Sequence, residues 1–323
     1  MFRFFLYSFF NIFKEPYENI TPEKLTKFIS NKNLINDIIN KKKLQSMWRS
    51  KLGNIILSNH YSLKNLEVRK STNHIMLITR LHHSFSFITP PTKKTCKEEI
   101  QYIFIIKDMK ILYMINKEEF PIEYNSLLQN HFNKEFNLNF IKHNLERQNY
   151  NKFIENIDTT YEEFNKITSS ITRKDYNKPE YNLNKDKIIK YARKYALNYN
   201  KSYKNFDNTG GDCTNFVSQC LHEGGLPYSL NWKPYTTTWI RVNELYYYAL
   251  KIGFNSTDFS AMNTSDIIQF HSIKKGFFSH SGIISEILPN NDCLYCCHSF
   301  DKLDYPLSEV YPLFYNKIRI INI

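Results

Sequence analysis

At 323 residues, 42% hydrophobic and 23% charged, the chain has apolar material for one large or two ordinary packed domains, which excludes wholesale disorder. Formal net charge is +12 and uneven: residues 181–323 hold 15 Lys+Arg against 12 Asp+Glu, leaving 28 against 19, a difference of +9, for residues 1–180. Such a basic half can capture an anionic polymer, although a solvated lysine-rich surface is the commoner cause, and no nucleic-acid-binding signature accompanies it.

In chain order, Met1–Lys14 combines one Arg with a short aromatic-rich apolar run. It lacks a small-residue cleavage site and is too short to span a bilayer, so the expectation is a soluble chain without a signal peptide, cytoplasmic or envelope-associated. Residues 21–47 carry a helical pattern that starts at Thr21-Pro22-Glu23 and repeats at Leu34, Ile35, Ile38 and Ile39. Apolar or alternating runs at Leu66–Val68, Ile75–Leu81, Phe85–Ile88, Ile100–Ile106 and Lys110–Ile115 predict strands, with Lys107–Lys110 as a hairpin turn. A helix followed by a curved antiparallel sheet suggests a cystatin- or NTF2-like accessory domain over 1–180. Phe132, Phe136 and Phe140 suggest a helix within a polar 125–180 region, and Thr172–Asn184 around Pro179 a linker.

The second half, 181–323, opens with an amphipathic helix over Asp186–Asn198 and reaches the most informative run, Gly210-Gly211-Asp212-Cys213-Thr214-Asn215-Phe216-Val217-Ser218-Gln219-Cys220. The glycines permit a tight turn, Asp212 is placed to cap a helix, and Cys213 is its first residue. A thiol there meets unpaired backbone N–H groups and the positive end of the helix dipole, so a pKa below the free-cysteine value is expected. Two strand-like runs follow: Ser279–Ser285, containing His280, and Cys293–Phe300, containing His298, with Pro289-Asn290-Asn291-Asp292 as the turn between them. An antiparallel pair could set His280 opposite His298, giving Cys213 as nucleophile, His280 as base and His298 behind it as orienter.

The runs GGDCTNFVSQCL, HSGIIS and HSFDKLDYPLS resemble the putative amidase domain family, allied to the NlpC-type and CHAP cysteine hydrolases. Over roughly 185–323 the resemblance implies a permuted papain-like α+β fold, with Cys213 as nucleophile, His280 as general base, and His298 or Asp301 in the third polar position. Trp232 and the Trp239 region correspond to an aromatic segment after the cysteine helix. Ser265-Asp266 departs from the Gly-Asp pair usual before the following strand. The implied function is cysteine-dependent hydrolysis of an amide, with peptidoglycan peptides as one candidate substrate. Tyr199 or Tyr203, just upstream of the cysteine turn, are candidate further donors to an oxyanion.

Three classes of alternative stay open on the residues alone. A non-catalytic module or an acyltransferase would keep the same fold. A metal-binding interaction protein would use Cys293, Cys296 and His298, but a structural zinc site needs a second ligand pair, and Cys213 and Cys220 are wrongly spaced to supply it. The expectation is therefore no metal and no cofactor. Adjacent Cys296 and Cys297 point to opposite faces of a strand and make poor disulfide partners. The sequence is silent on oligomeric state.

Overall fold

The computed structural model describes residues 1–129, 138, 150–169, 181–207, 209–257 and 262–323. The expected Phe132–Phe140 helix and most of the expected linker, residues 172–180, lie outside them. The chain divides into two compact units: Met1–Ile88 with Glu99–Asp158, and Thr89–Glu98 with Thr159–Ile323.

In the first unit, helix α1 (Phe2–Asn11) buries Leu6, Phe9 and Phe10. The helix expected over 21–47 is two helices, α2 (Pro22–Thr26) and α3 (Lys32–Lys51). The break has a local cause. Asn31 caps α3 by accepting from the N–H groups of Asn33 and Leu34, and Ile29 just before it is drawn into a backbone bridge with Ile111. Four strands follow: β1 (Ile55–Lys70), β2 (Ile75–Thr89), β3 (Thr92–Lys107) and β4 (Lys110–Asn116). β2 is one strand where two runs were expected, because His83, at the apparent break, is buried against Tyr61 and bonded to Asn59 Oδ1 at 2.7 Å. The β3–β4 turn sits where the sequence puts it, with Asp108 and Met109 both left-handed at φ 50° and 57°, the conformation that two-residue hairpins favour. Phe104 and Ile106 face a core shared with α1 and α3, while Ile103 and Ile105 face a second core, the alternation a doubly covered strand requires. Helices α4 (Pro121–Gln129) and α5 (Tyr150–Glu155) complete this unit.

The second unit contains helices α6 (Ile157–Ser169), α7 (Lys185–Tyr195), α8 (Cys213–Glu223), α9 (Thr237–Ile240) and α10 (Val242–Lys251). Its strands are β5 (Asn255–Thr257), β6 (Ile267–Ser272), β7 (Phe278–Ile287), β8 (Cys293–Cys297), β9 (Lys302–Pro306) and β10 (Tyr315–Asn322). They form an open antiparallel sheet in the order β9-β8-β7-β6-β10-β5, and Lys97 and Glu98 pair with β9 at its edge. This is a mixed α+β architecture. Helices α7 and α8 place Ile188, Tyr191, Phe216, Val217 and Cys220 in a core with Ile267, Ile283 and Cys296 of the sheet. The cysteine helix is thus held against the middle of the sheet by its own apolar face. Among the described residues, no helix is long and apolar enough to cross a membrane.

Residues Thr89–Glu98 are a working part of the second unit. Glu98 accepts from the Tyr305 hydroxyl at 3.0 Å and lies 3.4 Å from the Lys302 ammonium, which is 2% exposed. Removing one partner of a buried ion pair costs about 3 kcal/mol or more. A fragment of residues 181–323, which lacks Glu98, should therefore unfold at lower urea concentration than the same unit in the whole chain. Equal midpoints, read by circular dichroism, would show that Glu98 contributes little.

Candidate active site

Gly210 and Gly211 adopt φ of 127° and 110°, conformations open to glycine and strained for other residues. At Gly211 a Cβ would lie 3.2 Å from Ser299 Oγ, which in turn accepts from the Asp212 N–H at 2.6 Å. The turn before the helix is therefore pinned to the segment after β8. Cys213 opens α8 and is only 7% exposed, its Sγ 3.8 Å from Thr214 Oγ1. Burial pushes its thiol above the ordinary value. Hydrogen bonding from the Thr214 hydroxyl and from the backbone N–H groups of Ser281 and Thr214 pulls the other way and does not win. The expectation of a lowered pKa is corrected on this point: the helix terminus is present, but the sulfur is removed from water.

Asp212 stands at the N-cap position without capping through its side chain. Its Oδ1 accepts from the Phe206 N–H and the Asn215 amide, both at 2.9 Å, and its Oδ2 meets His298 Nδ1 at 2.6 Å. His298 Nε2 lies 2.8 Å from the Tyr195 carbonyl oxygen. That oxygen can only accept, so Nε2 carries a proton. The short Nδ1–Oδ2 contact needs a second one, held between ring and carboxyl. Both groups are 1% exposed. Tyr199 stacks on the imidazole with centroids 3.9 Å apart, and Phe216 of α8 packs at 4.2 Å.

His280 sits elsewhere. Cys296 of β8 pairs with Ile283 of β7, and carrying that register two residues further would bring His298 opposite Ser281, one residue away from the expected partner. A one-residue offset reverses the face. Ser281 meets Thr214 Oγ1 at 3.5 Å on the α8 side, whereas the His280 ring packs among Phe270, Phe300 and Tyr315. Its Nε2 is buried without a hydrogen-bond partner in the described residues. Burial, then the charges of Lys302 and Lys275, lower its pKa to about 3. The expected arrangement of His298 orienting His280 is thus not the one found; His298 is committed to Asp212 and Tyr195.

Of the remaining candidates, Tyr199 and Asp301 belong to the His298 cluster. The Tyr199 hydroxyl lies 2.7 Å from Asp301 Oδ1 and 2.5 Å from Asp207 Oδ2. Tyr203 is not part of it, stacking instead on Trp239 and meeting the Tyr228 hydroxyl at 3.5 Å. Trp232 and Trp239 pack against each other at 4.7 Å, and Trp239 donates to Asn215 Oδ1 at 2.7 Å. Asn215, Ser299 and Ser281 are site residues that sequence reasoning missed. Only Asn215, one helical turn after Asp212 on the same face, carried a readable signal. Cys293, Cys296 and Cys297 are buried and form no disulfide, with Cys296 Sγ 3.9 Å from Asp304 Oδ1 and Cys297 Sγ 3.7 Å from the Phe300 carbonyl oxygen. With both His298 nitrogens engaged, they do not assemble a ligand set, and no group of three or more His, Cys, Asp or Glu suited to a metal occurs among the described residues.

Residues 182–321 match a family model described as "Putative amidase domain". The uncharacterized protein YjcM of Bacillus subtilis (strain 168) is 35% identical over 134 residues, 38% of this chain and 32% of its own length. YhbB of the same organism, also uncharacterized, is 51% identical over 39 residues, 12% of each protein. The chain therefore spans a third or less of these relatives. No solved structure matches.

Two outcomes follow from the geometry. His298→Ala leaves the Asp212 carboxyl buried without its ring partner and should cost about 3 kcal/mol or more, read as a fall in the urea midpoint. In the unaltered protein, ¹⁵N spectra should show His298 protonated at Nε2. A nonprotonated Nε2, or an unchanged midpoint, would contradict this arrangement. For His280, the folded pKa lies below the ordinary 6.5, so the unfolded chain binds the extra proton first. Its contribution to stability is complete above pH 6.5 and falls by about 1.4 kcal/mol per pH unit from there towards pH 3. Asp266 and Asp292, raised by burial to about 6 and about 7, act in the opposite sense. The test is therefore a difference: His280→Phe, which suits the aromatic slot, should lose less stability than the unaltered protein between pH 6.5 and 4.

Proposed function

We propose that the segment 182–321 is a cysteine-dependent amide hydrolase with Cys213 as nucleophile. The observation that carries the reading is the sulfur at the first position of α8 with backbone N–H groups of Ser281 and Thr214 directed at it, inside a segment whose family description names amide chemistry. Those N–H groups favour a thiolate, and the helix terminus is suited to a developing oxyanion.

The base in this reading is His280, the histidine that the motif resemblance sets in that role. Its Nε2 has no hydrogen-bond partner among the described residues, while both nitrogens of His298 are spent. The His280 ring lies among Phe270, Phe300 and Tyr315, so the reading requires the start of β7 to turn towards Cys213 when substrate binds. On opening of the site to substrate, Nε2 takes the Cys213 proton as Sγ bonds to the carbonyl carbon. The same proton then goes to the departing amine as the C–N bond breaks, leaving a thioester. Water gives a proton to Nε2 and attacks the thioester; the acid leaves and the thiol is restored. His298, Asp212, Tyr199 and Asp301 hold the start of α8 and touch no reacting atom. The papain-like arrangement of this unit, the cystatin- or NTF2-like reading of residues 1–180, and peptide amides such as those of peptidoglycan as substrate belong to the same proposal.

Purified protein incubated with peptidoglycan fragments and with ordinary peptides should release an amine detectable by mass spectrometry. Cys213→Ala should lose at least about a thousandfold in rate, as removal of a nucleophile does. Hydroxylamine should intercept the thioester as a hydroxamate. Release that survives Cys213→Ala sinks the cysteine mechanism, and transfer of the acyl group to added amines in preference to water makes the protein an acyltransferase.

A further inference from the structure

Helix α1 is apolar on both sides. Its inner face, Leu6, Phe9 and Phe10, is in the core of the first unit, while Met1, Phe4 and Tyr7 on the opposite face are 82%, 76% and 47% exposed. A helix that only needs to pack on its own domain puts polar groups outward; this one leaves two aromatic rings in solvent at a spacing of three. The one charge within it is Arg3, next to Phe4. Arg3 Nη1 donates to the Leu63 carbonyl at 3.2 Å and leaves the rest of the guanidinium to solvent. Lys14 lies over the Tyr7 ring, 5.4 Å from its centroid, and also lines a cavity of about 540 Å³. There Lys42 and Arg49 are matched by Glu15 and Glu18, with Ile55 and Leu57 beside them, so that Lys14 leaves the lining one cation in excess. Ile55 and Leu57 are themselves 58% and 46% exposed. Two exposed aromatic rings with Lys14 beside them, and a neighbouring lining with a small excess of cations, thus mark the outer side of a half that carries +9.

We propose that this surface docks on an anionic lipid bilayer. Aromatic side chains with one apolar body settle at the headgroup level, and cations beside them add attraction to anionic lipid. Phe4 and Tyr7 enter the headgroup region with Met1, and Arg3 and Lys14 lie against phosphates. The chemistry is that of an interfacial helix that lies in the membrane plane without crossing it, consistent with a helix of 10 residues.

Sedimentation of the full chain with vesicles tests this. Binding is expected to phosphatidylcholine vesicles containing about 30 mol% phosphatidylglycerol, with little to phosphatidylcholine alone, and is expected to weaken in about 0.5 M salt. Phe4→Ser with Tyr7→Ser should reduce partitioning at least about tenfold, with the thermal unfolding midpoint retained because both side chains are exposed. Phe4→Trp supplies a second reading that needs no loss of side chain: its fluorescence should be quenched by brominated lipid in the anionic vesicles. Absence of anionic-vesicle binding overturns the proposal, as does a double variant that sediments like the parent or a tryptophan that is not quenched. Self-association abolished by the same double substitution, without vesicle binding, would assign the face to a second copy of the chain.

Discussion

The second unit is organised by one buried contact, Asp212 Oδ2 to His298 Nδ1. Four pieces of backbone meet through it. Asp212 precedes the cysteine helix and its Oδ1 gathers Phe206 and Asn215; His298 follows β8 and reaches the Tyr195 carbonyl at the end of α7. Ser299, the next residue, accepts from the Asp212 N–H and is approached by Gly211. The geometry leaves little slack, since a carboxyl and an imidazole at 1% exposure tolerate no loss of partner without the full desolvation cost. The position of Cys213 relative to the β7 backbone is a consequence of this tie.

How much of this could be read from residues alone divides along physical lines. The Gly-Gly-Asp-Cys run announces a turn and a helix start because only glycine accepts the φ values seen at 210 and 211, and the Cys213 helix follows from local periodicity. Likewise the Asp108-Met109 turn is set by its own four residues. The partners of His298 were not legible. They depend on the β7–β8 register, which is fixed by where pairing starts at Ile287 and Cys293 and by an irregularity between Ile284 and Glu286. A shift of one residue there exchanges faces for every side chain beyond it. The break between α2 and α3 was hidden for a similar reason, since Ile29 looks helical until Ile111, far along the chain, competes for it.

Burial explains why a helix-terminal cysteine is not automatically an activated one. The same core that holds α8 against the sheet takes water from Sγ, and desolvation of a thiolate opposes the N–H groups that would stabilise it. His280, lowered to about 3 by the same exclusion of water, is neutral at pH 7 and a weak base. Cys213 and His280, the proposed nucleophile and base, are therefore both biased towards their uncharged forms. For a thiol–imidazole couple this matters twice, because transferring one proton creates two charges that a dry site penalises separately and rewards only when they are close.

The two histidines consequently divide work by what their nitrogens are free to do. An imidazole with both nitrogens bonded to fixed acceptors can hold a helix in place, but it cannot pick up a proton without breaking one of those bonds. An imidazole with an empty nitrogen is costly to bury, and such a cost is retained most readily where the nitrogen is needed. His298 is the first kind and His280 the second. In the proposed mechanism, substrate entry would bring polar groups into the dry region beside Sγ and ease formation of the thiolate. In that mechanism the burial of Sγ restrains the thiol until an amide carbonyl is present to use it.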